Sequence, residues 1–324
     1  MSRRPDVDDL VSRARARETR SVARLISLVE TESDLLPQIS AALVPFAGHA
    51  HVVGLTGAPG VGKSTTTSAL VGALRAQGRR VGVLAVDPSS PYSGGALLGD
   101  RIRMTEHSTD PDVFIRSMAS RGHLGGLSWA APHAIRVLDA AGFDVVLLET
   151  VGVGQSEVEV AGLADSTVVL LAPGMGDGIQ AAKAGILEVG DVFCINKADR
   201  DGAATTRREL RSALAMGAGH GEPGAWQPPI ELTVASRAEG IDALVQRLDE
   251  HRAHLEASGE GEARRVARVR REVEAIALAE VSREFRARGS VLLDEIAQDV
   301  VHGGTDPFTA ARALREATRS APPE

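Results

Sequence analysis

Apolar residues in the first fifty positions, among them Val11, Val22, Leu25, Ile26 and Val29, recur at helix-like spacing. This spacing predicts helix over residues 7–47, with Pro37 opening a second helix and Gly48 closing it. The pattern then changes to short apolar runs at 51–57, 80–87, 112–118, 144–150, 166–173, 191–196 and 229–235. Most of these runs are nearly continuous rather than alternating, as in strands buried on both faces of a parallel sheet. Helical segments lie between most of them, as parallel crossovers require. The expected fold is therefore α/β, a doubly wound and mostly parallel sheet over residues 48–258. A helical extension over 1–47 precedes it. Gly259 to Gly261 reads as a linker into a C-terminal helical region over 259–324, whose tail from Ser320 is expected to fray. There Val266, Val269, Val273 and Ile276 follow a 3-4-3 spacing on an Arg- and Glu-rich helix. A helix packed on its own domain and a dimerising helix both fit that seam.

Composition narrows the class. Of 324 residues, 43% are hydrophobic and 24% charged, enough for a sizeable core; aromatics at 3% leave it to Val, Leu, Ile and Ala. The net charge of −7 argues against a large nucleic-acid footprint. Cys194 is the single cysteine, so an internal disulfide and a Cys-cluster metal site are excluded; its apolar neighbours suggest a buried core thiol. No stretch approaches the ~18–20 apolar residues of a membrane span. The arginines near the start (Arg3, Arg4, Arg13, Arg15, Arg17) have no apolar run after them and are interrupted by Asp6, Asp8, Asp9 and Glu18. Secretory and mitochondrial leaders both fit poorly, and a cytoplasmic protein is expected. These arginines, and the denser group Arg264, Arg265, Arg268, Arg270 and Arg271, read as solvated helix faces.

Chemistry enters at Gly57-Ala58-Pro59-Gly60-Val61-Gly62-Lys63-Ser64, which matches G-x-x-x-x-G-K-[ST] between a strand-like run and a helix-like segment. Glycines let such a loop wrap with its N–H groups pointing at phosphate, and the following helix N-terminus adds partial positive charge. Lys63 is placed to reach β- and γ-phosphates, Ser64 to ligate Mg²⁺, and Thr65 to offer its amide near the α-phosphate. Asp87 and Glu149 each end an apolar run, where ligands of doubly wound sheets bind. Taken alone each acid also suits a solvated strand end; beside a phosphate loop both become candidate Mg²⁺ ligands. Gly152 can bring its amide near the γ-phosphate. In Ras-like GTPases the residue after that glycine is a glutamine that orients water, and here it is Val153. Slow intrinsic hydrolysis follows, with Asp100, Gln155 and Lys183 as candidates for the missing groups.

Asn196-Lys197-Ala198-Asp199 fits N-K-x-D at the end of another strand. The Asp199 carboxylate can accept from both N1–H and the 2-amino group of guanine, donors that adenine lacks, so GTP and GDP are favoured over adenine nucleotides by ~10⁴ or more. Lys197 would lay its stem along the base. Ala235, Ser236 and Arg237 follow the last strand, where the Ala235 and Ser236 amides could meet guanine O6.

These segments resemble one family closely, the MeaB/ArgK group of methylmalonyl-CoA mutase-associated GTPases. The resemblance rests on GAPGVGKSTT at Gly57–Thr66, DPSSPYSGGALLGDRIRM at Asp87–Met104, RGHLGGLS at Arg121–Ser128, ETVGVGQSE at Glu149–Glu157, PGMGDGIQAAKAG at Pro173–Gly185 and Asn196–Asp199. It implies a G-protein chaperone of adenosylcobalamin-dependent methylmalonyl-CoA mutase, gating cofactor loading and protecting or reactivating the mutase. It further implies a homodimer built on the C-terminal helices, Ser64, Asp87, Asp100 and Glu149 around Mg²⁺, and a switch over Gly174–Lys183 whose Lys183 assists hydrolysis. Gly178 departs from the acidic residue many relatives carry, which touches switch contacts and not nucleotide binding.

Other readings are weaker. Older naming ties the group to a transport-system kinase, but nothing marks a protein-phosphorylating site. A metallochaperone GTPase needs clustered soft or imidazole ligands, whereas His49, His51, His123 and His133 stand apart from Cys194 and read as structural histidines. A different B12-dependent acyl-CoA mutase as client, and a scaffold that holds GTP without turnover, also remain.

Overall fold

A computed structural model describes residues 5–88, 106–120, 129–150, 156–174, 187–216 and 224–320. They form two compact units, residues 1–265 and 266–324. All seven expected strands are present: β1 (His51–Thr56), β2 (Val81–Pro88), β3 (Val113–Ser120), β4 (Val145–Thr150), β5 (Ser166–Leu171), β6 (Val192–Ile195) and β7 (Ile230–Leu232). They pair in the order β3-β2-β4-β1-β5-β6-β7, every pair parallel. β1, β4 and β5 are buried along their whole length, which is why their sequences run apolar without alternation.

Helices cover both faces. One face carries α4 (Lys63–Ala76) and α8 (Ile241–Ser258), whose Leu70, Val71, Leu244 and Val245 pack on Val53, Leu55 and Val168. The other carries α5 (Ala130–Ala140), α6 (Ser156–Leu163) and the N-terminal helices α1 (Val7–Arg15), α2 (Thr19–Glu30) and α3 (Leu36–Leu43). Val22, Leu25, Ile26 and Val29 are buried there, each contributing ~1.5–3 kcal/mol, so the N-terminal helices belong to the same core as the sheet. α7 (Ala203–Ala215) packs Leu210 and Leu214 on Phe193 and Ile195.

Two boundaries differ from expectation. The first helical stretch breaks between α1 and α2, where Arg17 takes a left-handed φ of 68°. No Gly or Pro marks that break, so helical spacing alone carried straight through it. The Gly259–Gly261 stretch is a helix cap in place of a linker: Gly259 (φ 78°) closes α8, and α9 (Glu260–Val301) starts at the next residue. α10 (Pro307–Ser320) follows.

The amino-terminal edge of the sheet holds a buried polar chain. His51 Nε2 meets the Ser166 hydroxyl at 2.7 Å, and that hydroxyl meets His251 Nδ1 at 2.7 Å. His251 Nε2 lies 3.3 Å from Asp191, which also receives both guanidinium arms of Arg264 from the first turn of α9. Trp226 donates its indole N–H to the Asp191 carbonyl and packs at a tilt against His251. Burial pushes His51 down to about 4 and also lowers His251. Arg264 thus departs from the solvated face expected of its arginine group, because Asp191 and the Asp165 carbonyl draw it inward.

Candidate nucleotide site

At the opposite edge, β1 ends at Thr56 and α4 begins at Lys63, leaving residues 57–62 as the loop. Gly57 has φ 142°, and a Cβ on it would stand 2.3 Å from the Leu170 carbonyl oxygen. Gly62 has φ 99°, and its Cβ would meet Asn196 Nδ2 at 2.4 Å. A left-handed φ and close neighbours, backbone at Gly57 and the Asn196 side chain at Gly62, therefore require glycine at both ends of the loop.

Lys63 is buried and folds over its own loop, Nζ donating to the carbonyls of Gly57 at 2.6 Å and Ala58 at 3.2 Å. This keeps the ammonium centred in the cradle formed by the loop and the α4 N-terminus. β1 and β4 are neighbours with Leu55 opposite Glu149, which brings Ser64 to the end of β4. There the Ser64 hydroxyl donates to Glu149 Oε1 at 2.5 Å, both residues being buried. A hydroxyl and a carboxylate converging beside a phosphate cradle are hard oxygen donors of the kind Mg²⁺ takes, so these residues fit that ion. β2 runs beside β4 with Val86 opposite Thr150, placing the Asp87 backbone at the same edge; its side chain lies outside those described. Asp100, Gly152, Val153, Gln155 and Lys183 lie outside the described residues, as does the 175–183 part of the expected switch.

Asn196 leaves β6 and ties three loops together. Its Nδ2 donates to the Val61 carbonyl at 2.9 Å, and its Oδ1 accepts from the Ala235 amide at 3.0 Å and the Thr233 hydroxyl at 3.3 Å. Both ends of the amide thus bond protein, and its work is to brace the phosphate loop against the turn after β7. The Ala235 amide, expected at guanine O6, is committed to Asn196. Lys197 adopts φ 57° and bonds the Gly60 carbonyl at 2.6 Å, which lays its stem across the top of the loop. Asp199 is exposed, with Arg237 Nη1 at 3.6 Å. Arg237 is itself raised above its ordinary value by the Glu239 carboxylate first and by Asp199 as well. Asp199, Lys197 and Lys63 therefore share one edge of the sheet. Thr233 is a participant that motif reading missed; its only sequence signal is the apolar run that ends beside it. Cys194 is buried next to Thr233, and burial pushes its thiol up to about 12, in keeping with an inert core residue.

A parallel sheet with a lysine-capped G-x-x-x-x-G-K-S loop, a serine–carboxylate pair and an N-K-x-D turn on the same edge defines the class: a P-loop GTPase. The chain belongs to the family described as methylmalonyl Co-A mutase-associated GTPase MeaB, which matches residues 22–290. A putative GTPase of Pyrococcus horikoshii is 46% identical over 310 residues, 96% of this chain and 98% of the relative. The mitochondrial methylmalonic aciduria type A homolog of Mus musculus is 38% identical over 273 residues, 83% of this chain and 65% of that protein. A crystal structure of an LAO/AO transport system kinase superposes with a TM-score of 0.72 at 30% identity, covering 97% of this chain and 98% of that one. Among the described residues no group of three or more His, Cys, Asp or Glu could hold a metal ion, and no helix is long and apolar enough to cross a membrane.

Proposed function

We propose that this GTPase is a chaperone of an adenosylcobalamin-dependent methylmalonyl-CoA mutase, gating cofactor loading and protecting or reactivating the mutase in the cytoplasm. The observation that carries the reading is the match over residues 22–290 to a family described by its association with that mutase. In the hydrolysis step Lys63 holds the β- and γ-phosphates, exchanging its loop carbonyls for phosphate oxygens as they enter. Ser64 and Glu149, with Asp87 and Asp100, would hold Mg²⁺, which would neutralise charge on the phosphate oxygens. Asp199 accepts from guanine N1–H and the 2-amino group, and the Ser236 amide serves O6 because that of Ala235 is spent on Asn196. Val153 in the water-orienting place keeps the intrinsic rate slow, and Lys183, moved by the mutase, supplies the missing charge.

We assign the homodimer contact to α9. Val266, Val269, Val273, Leu278 and Val281 are all exposed on it, and a 42-residue helix about 63 Å long offers a seam of sufficient length. Replacing Val269 and Val273 with Glu is expected to halve the mass measured by light scattering.

The client is tested by retaining the chain on a resin and adding methylmalonyl-CoA mutase with GDP or a non-hydrolysable GTP analogue. Nucleotide-dependent retention, with faster phosphate release when mutase is present, is the expected outcome. Retention of only another B12-dependent acyl-CoA mutase reassigns the client. Indifference of every such mutase to nucleotide ends the chaperone reading and leaves the GTPase intact.

A further inference from the structure

We propose that Glu239 is a positioning residue for guanine selection: it holds Arg237 so that the guanidinium fixes the plane of the Asp199 carboxylate. The proposal deepens the nucleotide reading and rests on Asp199 accepting from guanine N1–H and the 2-amino group.

A carboxylate that serves two parallel donors must present both oxygens in one plane, yet the last torsion of aspartate is broad and roughly two-fold. Asp199 is exposed and sits on a turn, so packing leaves that torsion loosely held. Its charged partner among the described residues is Arg237, whose Nη1 lies 3.6 Å from Oδ2. Arg237 is in turn held by Glu239, which takes Nε at 2.7 Å and Nη2 at 3.3 Å. This side-on fork leaves Nη1 for Asp199. Without the fork, the guanidinium can close on Asp199 with both arms and occupy the oxygens that guanine needs.

The backbone fixes the place of Glu239. Val234 and Glu239 exchange both backbone hydrogen bonds, at 3.0 and 3.3 Å, and the Arg237 amide donates to the Val234 carbonyl at 2.9 Å. Ala238, at φ 55°, turns the chain between Arg237 and Glu239. Gly240 closes the loop against β7: its φ is 76°, and a Cβ there would stand 2.2 Å from the Leu232 carbonyl oxygen. This turn is tied to the one that carries Asp199, since the Ala198 amide donates to the Thr233 carbonyl at 3.0 Å and Asn196 accepts from the Ala235 amide. Glu239, Arg237 and Asp199 therefore stand on two turns whose backbones are fixed to each other. The side chains of Arg237 and Glu239 are 53% and 58% exposed, so their ion pair adds little to stability. What it contributes is placement.

The test titrates the full chain, with Mg²⁺ present, with GDP and with inosine diphosphate (IDP), which keeps N1–H and O6 but lacks the 2-amino group. The wild-type chain is expected to prefer GDP by roughly 10–100-fold, since IDP leaves one carboxylate oxygen unpaired. Glu239→Gln is expected to cut that preference about three- to fivefold with an unchanged urea midpoint. Arg237→Ala is expected to do the same, and the double variant no more than either, because both act through one contact. A purely structural role, or stacking of Arg237 on the base, weakens GDP and IDP equally. An unchanged preference in Glu239→Gln, or additive losses in the double variant, therefore overturns the proposal. Asp199→Ala separates that failure from a failure of the nucleotide reading. Should it abolish the GDP preference while Glu239→Gln keeps it, only the role of Glu239 falls. Should Asp199→Ala itself keep the preference, Asp199 does not read the 2-amino group and both fall.

Discussion

At the carboxyl edge of the sheet the groups around the phosphate loop come from short contiguous stretches, and much of the work is done by backbone. Lys63 closes on carbonyls five and six residues behind it, Gly57 presses on Leu170, and Asn196 bonds the Val61 carbonyl and the Ala235 amide. At the amino edge the order is inverted. His51, Ser166, Asp191, His251 and Arg264 come from five separate segments, and side chains make most of the bonds. A backbone cradle needs fixed spacing and small residues in one place, so it leaves a motif. A side-chain network needs only that the topology bring its members together, so it leaves none.

The contrast predicts that variants of the two edges fail differently. Lys63→Ala is expected to lower kcat/KM for GTP by ~10²–10³, measured by phosphate release, with the urea midpoint little changed. Asp199→Asn should weaken GDP binding by ~10²-fold, read by displacement of a fluorescent analogue, because an acceptor of two donors becomes one of mixed polarity. A parallel loss of stability in either variant would blur the division. The amino edge should respond to acid. His51 is held neutral well below its unfolded value of 6.5, so its contribution is complete above pH 6.5 and is lost as pH falls towards about 4. The loss is on the order of 2–3 kcal/mol, and His51→Gln should flatten the fall of the urea midpoint between pH 7 and 5 while leaving GTP turnover at pH 7.5 alone. Arg264→Ala is the mildest case, about 1 kcal/mol less stable, since that side chain is part-exposed beside Asp191. A change in GTP turnover in Arg264→Ala at permissive temperature would show that the edges are coupled.

The same distinction sets what could be read before any coordinates. Seven strands were legible because parallel strands buried on both faces run nearly continuously apolar, as Val145–Leu148 and Val168–Leu171 do. The G-x-x-x-x-G-K-S loop and the N-K-x-D turn were legible as motifs. The bend at Arg17 was not, because it uses an arginine where sequence rules look for glycine. Nor was the role of Arg264, which lies in a run of arginines and differs from them only by the nearness of Asp191 once β6 is beside β5. The commitment of the Ala235 amide to Asn196 likewise depends on how closely the turn after β7 approaches β6.

β6 has a property that neither edge has alone. Asp191, which grips the first turn of α9, and Asn196, which braces the phosphate loop, are the flanking residues of a strand only four residues long. That strand is already fully extended and packed on both faces, so it can neither stretch nor buckle. It is a short, rigid link between the root of the long helix and the turn that carries the N-K-x-D residues.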